Sequence, residues 1–394
     1  MSNNFETISH DIFLSVERNS PHIGLRNPMV GAGPADYKWL YPEDIFSTEI
    51  FWTDSFWTGQ LWLAYMVSGT SKFKNLARMR YGHLNRILDT PILMNHDLGF
   101  QFSLSAVADY KLTGNKEART LALRAAEALR NRFNWNGNYL VAWTAGSEGK
   151  EHAEKIQGKI IIDCMENLPL LMWAYSETNI ESFKTVAIAQ AETTIKHIIR
   201  DDWSTYHSFD FDTTTNEPIR GGTYQGYADE SCWSRGQAWA IHGFAQLALM
   251  TGEERYAEVS SKLLDWVIEH ITDDLLPVWD YRLPEHEIQY KDSSAGSITA
   301  AGAVLLSQVL DKFGNKSTAE KYRTFGIKML LALREQCDLT SDENAQGLLN
   351  QAASFVHVAK ELDKENLANS MLPYGDYYYY EGVLRAMGHK KFFW

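Results

Sequence analysis

Polar and aromatic side chains recur in short stretches that directly precede the apolar segments of this chain. These stretches contain Trp52, Thr53, Asp54 and Trp57; Asn95, His96 and Asp97; Asp163; Trp233, Ser234, Arg235, Gln237 and Trp239; Asp292, Ser293, Ser294 and Ser297; and Tyr374, Asp376 and Tyr377. Two long connecting segments add Trp143, His207, Tyr224 and Gln225. Carboxyl groups exchange protons, and aromatic faces stack on the apolar face of a sugar ring. The combination indicates a carbohydrate-active enzyme that uses one or two aspartates.

Most of these carboxylates also have a structural interpretation. Asp54, Asp292 and Asp376 stand at predicted helix starts. An aspartate there can cap the helix by accepting backbone N–H bonds. Asp97 and Asp163 are the two without an obvious better role, so we take them as the candidate catalytic pair.

Asp163 precedes an apolar stretch that opens with Pro169. Proline is tolerated in the first turn of a helix and breaks its interior, so we expect a buried helix to begin near Asn167. A carboxylate just before that helix can be a cap. It can also sit at the rim of a pocket, where burial sets its pKa.

The remaining candidates are cationic or aromatic. Arg235 suits an anionic ligand group, because a guanidinium fork matches carboxylate geometry, and its alternative is a buried core arginine. His96 can be a hydrogen-bonded structural histidine or a substrate contact. Trp52 and Trp143 can be core residues, but tryptophans beside carboxylates at helix starts are typical of sugar-binding platforms.

A weak internal repeat organises the chain around five turn residues. Each follows an apolar segment and precedes an amphipathic one, as expected for a left-handed helix cap between two helices. The turn residues are Gly69, Gly114, Asn179, Gly252 and Gly314.

A further apolar segment, residues 374–387, supplies a sixth helix of the first type. Buried first helices with half-exposed second helices form two concentric rings. We therefore predict an all-α fold, an (α/α)6 barrel of six helical hairpins, in one domain spanning residues 1–394. An open solenoid is disfavoured because no terminal unit shows a polar capping face. Strand signals are weak and confined to residues 206–212 and 276–281.

Composition narrows the class of function. The chain has 394 residues, a formal net charge of −13 and no basic cluster, which argues against nucleic acid as a partner. Cys164, Cys232 and Cys337 fit neither a disulfide framework nor a zinc site. We expect no metal and no organic cofactor.

The N-terminal residues 1–17 are polar and lack the apolar core of a signal peptide. No apolar run approaches the length of a membrane span. These features predict a cytoplasmic protein without a membrane partner, either a monomer or a weak homodimer.

Five segments together resemble a known family. They are Trp52–Gly59, His96–Phe100, Ile162–Pro169, Ser234–Trp239 and Tyr374–Tyr378. In sequence and order they resemble the unsaturated glucuronyl hydrolases, glycoside hydrolase family 88, over nearly the whole chain. Members of that family are (α/α)6 barrels, which agrees with the hairpin count.

The resemblance implies an unusual hydrolysis. These enzymes act on the short acidic oligosaccharides left by polysaccharide lyases, which carry a 4,5-unsaturated uronic acid at the non-reducing end. They hydrate the C4=C5 double bond by adding a proton to C4 and water to C5. The resulting hemiketal opens and releases the rest of the sugar.

The same resemblance implies roles for residues. Asp163 matches the general acid and base, and Asp97 matches the partner that binds ring hydroxyls. The positions matching the substrate-binding residues are Trp52, His96, Trp143, His207, Gln225, Arg235 and Trp239, with Trp52 and Trp143 as stacking walls.

Two other functions remain open at this point. An unsaturated rhamnogalacturonyl hydrolase would share the barrel and the chemistry but accept pectin fragments. A non-catalytic sugar-binding barrel would keep the tryptophans but would not need Asp163. The sequence of residues 354–372 leaves the preference for sulfated substrates, and the parent glycosaminoglycan, undecided.

Overall fold

The computed structural model describes residues 2–46, 50–143 and 157–394. In this part of the chain six inner helices form a closed ring, in which each packs against the next and the sixth against the first. Their bounds are Phe56–Ser68; Leu98–Phe102 with the π-helical turn Ser103–Val107 and Ala108–Thr113; Leu168–Thr178; Ser234–Thr251; Ser293–Phe313; and Pro373–Ala386. Their nearly continuous apolar sequences follow from burial on most sides.

An outer layer of amphipathic helices covers this ring. Among the described residues it consists of Ser2–Ile23, Ser71–Arg78, Lys116–Arg130, Glu181–His197, Glu254–His270 and Lys316–Gln336. Each packs against an inner helix through one apolar stripe, as Leu121, Ala125 and Leu129 do. The predicted (α/α)6 barrel of helical hairpins is confirmed.

The N-terminal helix completes the ring. Ser2–Ile23 packs against the sixth and first inner helices, and Phe5, Ile8, Ile12 and Val16 form its buried face. Their spacing of three and four residues is helical, but the polar composition of the segment hid it from the sequence analysis.

The five predicted turn residues all have left-handed backbone conformations. The φ angles are 66° at Gly69, 73° at Gly114, 56° at Asn179, 72° at Gly252 and 88° at Gly314. Each ends an inner helix, and glycine or asparagine adopts this conformation with the smallest steric cost. The hairpin positions were therefore correctly predicted.

The remaining elements are short. The helices are Pro42–Phe46, Tyr81–Asp89, Pro91–Leu93, Ile162–Glu166, Val356–Leu362 and Glu365–Leu367. Two strand pairs join Val30–Gly31 to Trp39–Leu40 and Phe133–Asn134 to Tyr139–Leu140. An antiparallel three-stranded sheet has the order Lys159–Ile161, Ser208–Phe211, Pro218–Gly222.

The two expected strand regions differ in outcome. Ser208–Phe211 lies within the first, residues 206–212. The second, residues 276–281, contains only isolated bridges, which pair Trp233 with Asp280 and Val278 with Lys291.

One helix among the described residues, Ser293–Phe313, is long and apolar enough to cross a membrane by length and composition alone. The expectation that no apolar run approaches the length of a membrane span was therefore wrong. The most apolar stretch of this helix is 94% buried inside the protein, so it is a core helix of the barrel.

A fully buried ionic network lies between the inner helices. His242 contacts Glu166 through Nδ1 (2.9 Å) and Glu381 through Nε2 (3.3 Å). Because both partners are carboxylates, both ring nitrogens donate, and His242 is an imidazolium. Burial alone would lower the pKa of His242, but the Glu166 and Glu381 carboxylates outweigh burial and raise it to about 9.

Replacing this imidazolium should destabilise the barrel. We expect His242→Gln to lower the free energy of unfolding by about 3–5 kcal/mol, because the carboxylates lose their shared buried cation. Chemical denaturation measures the loss. The exposed His22→Gln is the control and should change stability by less than about 0.5 kcal/mol.

The pH dependence supplies a second check. The folded pKa of His242 is raised above the ordinary histidine value of 6.5, so its stabilisation is complete below that value and is lost as pH rises through about 9. His242→Gln should lack this decline. An identical decline in the variant would contradict the assignment.

Candidate active site

The three-stranded sheet brings Asp163 close to His207. Lys159–Ile161 pairs with Ser208–Phe211, and the Ile162 N–H donates to the His207 carbonyl oxygen (3.0 Å). Asp163 therefore follows the end of one strand where His207 precedes the start of its neighbour. The short 3₁₀ helix Ile162–Glu166 then leads into the third inner helix.

Asp97 precedes the second inner helix, and its neighbours fix it there. The His96 N–H donates to the Ala142 carbonyl (2.9 Å), and the Asp97 N–H donates to Asn95 Oδ1 (2.8 Å). The Asp97 carboxylate makes no capping bond to its own helix. It is therefore available for another role.

The hydrogen bond from the His96 N–H to the Ala142 carbonyl also positions the next residue, Trp143. The Trp143 ring meets the His96 ring edge to face, with centroids 6.2 Å apart, and meets the Tyr224 ring at 5.5 Å. The structure thus brings Trp143 to the same end of the barrel as Asp97 and His207.

Asp97 and Asp163 form a coupled pair in a dry environment. Burial raises the pKa of Asp97 to about 7. Burial also raises the pKa of Asp163 well above its ordinary value, and the negative charge of Asp97 adds to the shift. The pair therefore retains a proton near neutral pH. Asp163 Oδ1 is buried without a hydrogen-bond partner among the described residues.

His207 is a neutral hydrogen-bond donor. Its Nδ1 lies 3.1 Å from the Tyr224 backbone nitrogen and 3.3 Å from that of Gln225. Backbone N–H groups only donate, so Nδ1 accepts and the proton resides on Nε2. Burial lowers the pKa of His207 to about 3, with Arg235 and Lys159 contributing. Nε2 has no partner among the described residues.

His96 is also neutral. Its Nε2 lies 3.4 Å from Asp97 Oδ1, but the geometry is not that of a hydrogen bond. Burial lowers the pKa of His96 to about 3, so the contact is not an ion pair. Its position beside Asp97 keeps it a candidate substrate contact.

Arg235 is held by the protein itself. The side chain is 1% exposed, and Nη1 donates to Asp292 Oδ2 (2.7 Å) and to the Ala353 carbonyl (2.6 Å). Nη2 donates to Gln225 Oε1 (2.8 Å) and to the Ser354 carbonyl (3.2 Å). We had expected an arginine open to a ligand anion, but the structure shows the buried alternative.

The tryptophans separate into two environments. Trp52 is partly exposed and stacks on Tyr374, with ring centroids 4.9 Å apart. Trp239 is only 1% exposed and packs against Phe100 and Tyr378 at 5.2 and 5.4 Å. A sugar can therefore reach Trp52, whereas Trp239 supports the wall from behind.

The three aspartates expected to cap helices also separate. Asp292 accepts from the Ser294 and Ala295 N–H groups, so that cap is confirmed. Asp54 instead accepts from the Phe51 N–H and contacts His83. Asp376 accepts from the N–H groups of Leu348 and Leu349 in a distant loop. The capping predictions for Asp54 and Asp376 were wrong, because their partners lie outside their own helices.

Known proteins share this architecture. No family model matches the chain. An unsaturated glucuronyl hydrolase from Bacillus sp. strain GL1 is 33% identical over 324 residues, 82% of each chain. An unsaturated chondroitin disaccharide hydrolase from Streptococcus agalactiae serotype III is 32% identical over 334 residues, 84% of this chain and 80% of the relative. The crystal structure of an unsaturated glucuronyl hydrolase from Bacillus sp. GL1 superposes with a TM-score of 0.86 at 31% identity, covering 98% of this chain and 96% of that one.

The chain belongs to the family of unsaturated glucuronyl hydrolases. In this member of the family, Asp97, Asp163 and the side chains around them lie at one end of the barrel. Among the residues that the structure describes, no group of three or more His, Cys, Asp or Glu side chains is arranged to hold a metal ion.

The contacts of two residues in this region were not predicted from the sequence. Asn167 lies between Asp97 and the Asp163 backbone, and Asp292 is the counter-ion of Arg235. Asn167 lies within a segment that carried the family resemblance, which was the available signal. The pairing of Asp292 with Arg235 had no sequence signal, since it depends on the packing of two inner helices.

Asp163→Asn should fold normally and lose nearly all activity, and Asp97→Asn should also be severely impaired. An amide cannot exchange the proton, and losing a general acid costs about 10²–10⁴ in rate. Steady-state kinetics on an unsaturated disaccharide measure the loss. The matched control is Asp109→Asn. Asp109 is a buried aspartate near the far end of the second inner helix, the helix that Asp97 precedes, and it pairs with Arg78. The substitution should reduce stability and leave turnover per folded molecule unchanged; comparable losses in all three variants would contradict a catalytic pair.

Arg235→Ala should destabilise the protein by about 3–5 kcal/mol, because Asp292 would stay buried without its cation. Adding Asp292→Asn should recover part of that loss, since asparagine can still cap the helix. Thermal or chemical denaturation of the two single variants and the double variant measures the coupling. Strictly additive losses would show that the buried pair is not the source of the effect.

Proposed function

We propose that this enzyme hydrates the C4=C5 double bond of the unsaturated uronic acid at the non-reducing end of lyase-generated glycosaminoglycan oligosaccharides, releasing that residue as a ring-opened uronate without the double bond. The observation that supports this most directly is the buried carboxyl pair. Asp163 holds a proton near neutral pH on a group with a free oxygen, beside a second carboxylate. Protonation of a vinyl ether needs such an acid.

The residues account for each proton. The Asp163 carboxyl group donates its proton to C4, and the positive charge that develops at C5 is shared with the ring oxygen. Water adds to C5 and gives its proton to the Asp163 carboxylate, which restores the acid. The C5 hemiketal then opens by breaking the bond from C5 to the ring oxygen, and the exposed hemiacetal at C1 loses the rest of the sugar. In the active form, with the shared proton on Asp163, Asp97 is ionised and accepts hydrogen bonds from ring hydroxyls.

Neutral donors suit the substrate carboxylate. His207 presents its Nε2–H without a described partner. Gln225 uses Oε1 to accept from Arg235 Nη2, which turns its own Nε2 donors away from Arg235. We therefore assign the anion contact to His207 and Gln225, with the Arg235 guanidinium behind them.

The sugar rings need flat apolar surfaces. Trp52, stacked on Tyr374, and Trp143, held between His96 and Tyr224, provide two at this end of the barrel. The named relatives act on unsaturated glucuronyl and chondroitin substrates, so these favour glycosaminoglycan fragments over the pectin alternative. The cytoplasmic location, the single domain and the monomeric or weakly dimeric state stay predictions.

Isotope labelling tests the reaction directly. Product made in D₂O should carry deuterium at C4, and oxygen from labelled water should enter at C5. Ultraviolet absorbance of the conjugated double bond should fall in step with product release. Sulfated and unsulfated unsaturated chondroitin disaccharides and an unsaturated rhamnogalacturonan disaccharide form the substrate panel, with the glycosaminoglycan disaccharides turned over faster. Labelled oxygen at the anomeric carbon would instead show ordinary glycoside hydrolysis.

A further inference from the structure

The side chain of Asn167 connects the two segments that carry the catalytic aspartates. Asn167 is fully buried, and its Oδ1 accepts the Phe100 backbone N–H (2.7 Å). Its Nδ2 donates to the Asp163 carbonyl (3.2 Å) and lies 3.4 Å from Asp97 Oδ1. One carboxamide therefore touches both segments and one of the two carboxylates.

Backbone packing holds Asn167 in this position independently of its hydrogen bonds. A Cβ atom on Gly99 would lie 2.2 Å from Asn167 Cα and 2.5 Å from its Oδ1. The first turn of the second inner helix therefore rests directly on Asn167, and only glycine permits that approach. This close contact between Gly99 and Asn167 thus fixes the segments that carry Asp97 and Asp163 relative to each other.

The amide group suits both neighbours for one reason. It accepts through Oδ1 from a backbone N–H and donates through Nδ2 to oxygen atoms. An aspartate at position 167 could still accept the Phe100 N–H. Its second carboxylate oxygen would then lie against the Asp97 carboxylate. An alanine would leave the Phe100 N–H and the Asp97 carboxylate without this partner.

We propose that Asn167 is a positioning residue of the reaction, which sets the separation of Asp97 and Asp163 and, by donating to the carboxyl group of Asp97 and not to that of Asp163, keeps the shared proton on Asp163. The proposal rests on the proposed function for its role in turnover. The preference follows because an N–H donor stabilises the ionised form of the carboxyl group that it contacts. The Asp163 carboxyl group has no such donor on Oδ1 among the described residues.

Other charged and titratable groups around the pair are compatible with this assignment. Arg132 also favours the ionised form of Asp97, and His96 beside it is neutral. Glu166, on the same 3₁₀ helix as Asp163, opposes ionisation of Asp163, whereas Arg235 favours it. Asn167 contributes the only amide donor to Asp97 among the described side-chain bonds, and it lowers the pKa of Asp97 against the effect of burial.

The test measures kcat and KM against pH for Asn167→Ala and Asn167→Asp. With one shared proton as the active form, the acid limb reports protonation of Asp97. Losing the Asn167 donor should move that limb upward by about one pH unit, and the alkaline limb by less. We expect kcat to fall about tenfold or more with KM within about twofold, because the proton then resides partly on Asp97. Asn167→Asp preserves the shape and the Phe100 contact, so it should fold and shift the limb at least as far.

The matched control is Asn19→Ala. This change removes another buried carboxamide, on the outer helix Ser2–Ile23, which donates to the Ala345 carbonyl. It should lower thermal stability without moving either limb. Unmoved limbs in both Asn167 variants, with losses explained by the folded fraction, would reduce Asn167 to a structural residue and overturn the proposal.

Infrared titration of the protein without substrate separates this proposal from the proposed function. The Asp97 carboxyl band, assigned with Asp97→Asn, should titrate at higher pH in Asn167→Ala than in the parent protein. That shift would support the Asn167 assignment even if the enzyme did not hydrate unsaturated uronates. An unchanged Asp97 titration would overturn it even if the parent enzyme were fully active.

Discussion

The central constraint of this barrel is the ionic network around His242. Two carboxylates, Glu166 and Glu381, face one imidazolium and the Arg385 guanidinium, which donates to Glu381 (2.7 Å). The charges balance only if His242 keeps both protons. Isolated charges in such a dry interior would cost several kcal/mol each, so the three inner elements that carry them must assemble together. The Tyr378 hydroxyl and the Trp394 indole satisfy the remaining carboxylate oxygens.

The carboxyl groups of that network differ in protonation state from Asp163. Burial would raise the pKa of Glu381, but Arg385 and His242 outweigh burial and lower it to about 2. Asp163, one turn of 3₁₀ helix before Glu166, makes no ion pair with the described residues, and burial raises its pKa well above the ordinary value despite the charge of Arg235. The buried interior therefore holds both an ionised carboxyl group, on Glu381, and a protonated one, on Asp163, and each state follows from its surroundings. Because Glu166 is anchored to the fourth and sixth inner helices, the segment that carries Asp163 is anchored with it.

The hairpins were predictable because their signals are local. Gly69, Gly114 and Gly252 mark left-handed turns regardless of what surrounds them, and Pro169 marks the start of its helix. The features that were not predicted depend on contacts between residues far apart in sequence. Arg235 looks like an anion-binding group until the fifth inner helix brings Asp292 against it, and Asp376 looks like a cap until residues 348 and 349 reach it. The N-terminal helix was missed for another reason, since its polar face dominated its composition.

In the proposed reaction, the burial of Arg235 explains how one end of the barrel could bind an anion and still keep an acid protonated. A free guanidinium beside Asp163 would stabilise the carboxylate and remove the acid. Asp292 neutralises that charge, and Gln225 Oε1 accepts a hydrogen bond from Nη2 of the same guanidinium. The groups that remain, His207 Nε2–H and the Gln225 amide, donate hydrogen bonds without carrying charge. An acidic sugar approaching such a site meets donors for its carboxylate and a carboxyl group that has not lost its proton, which is the condition that protonation at C4 requires.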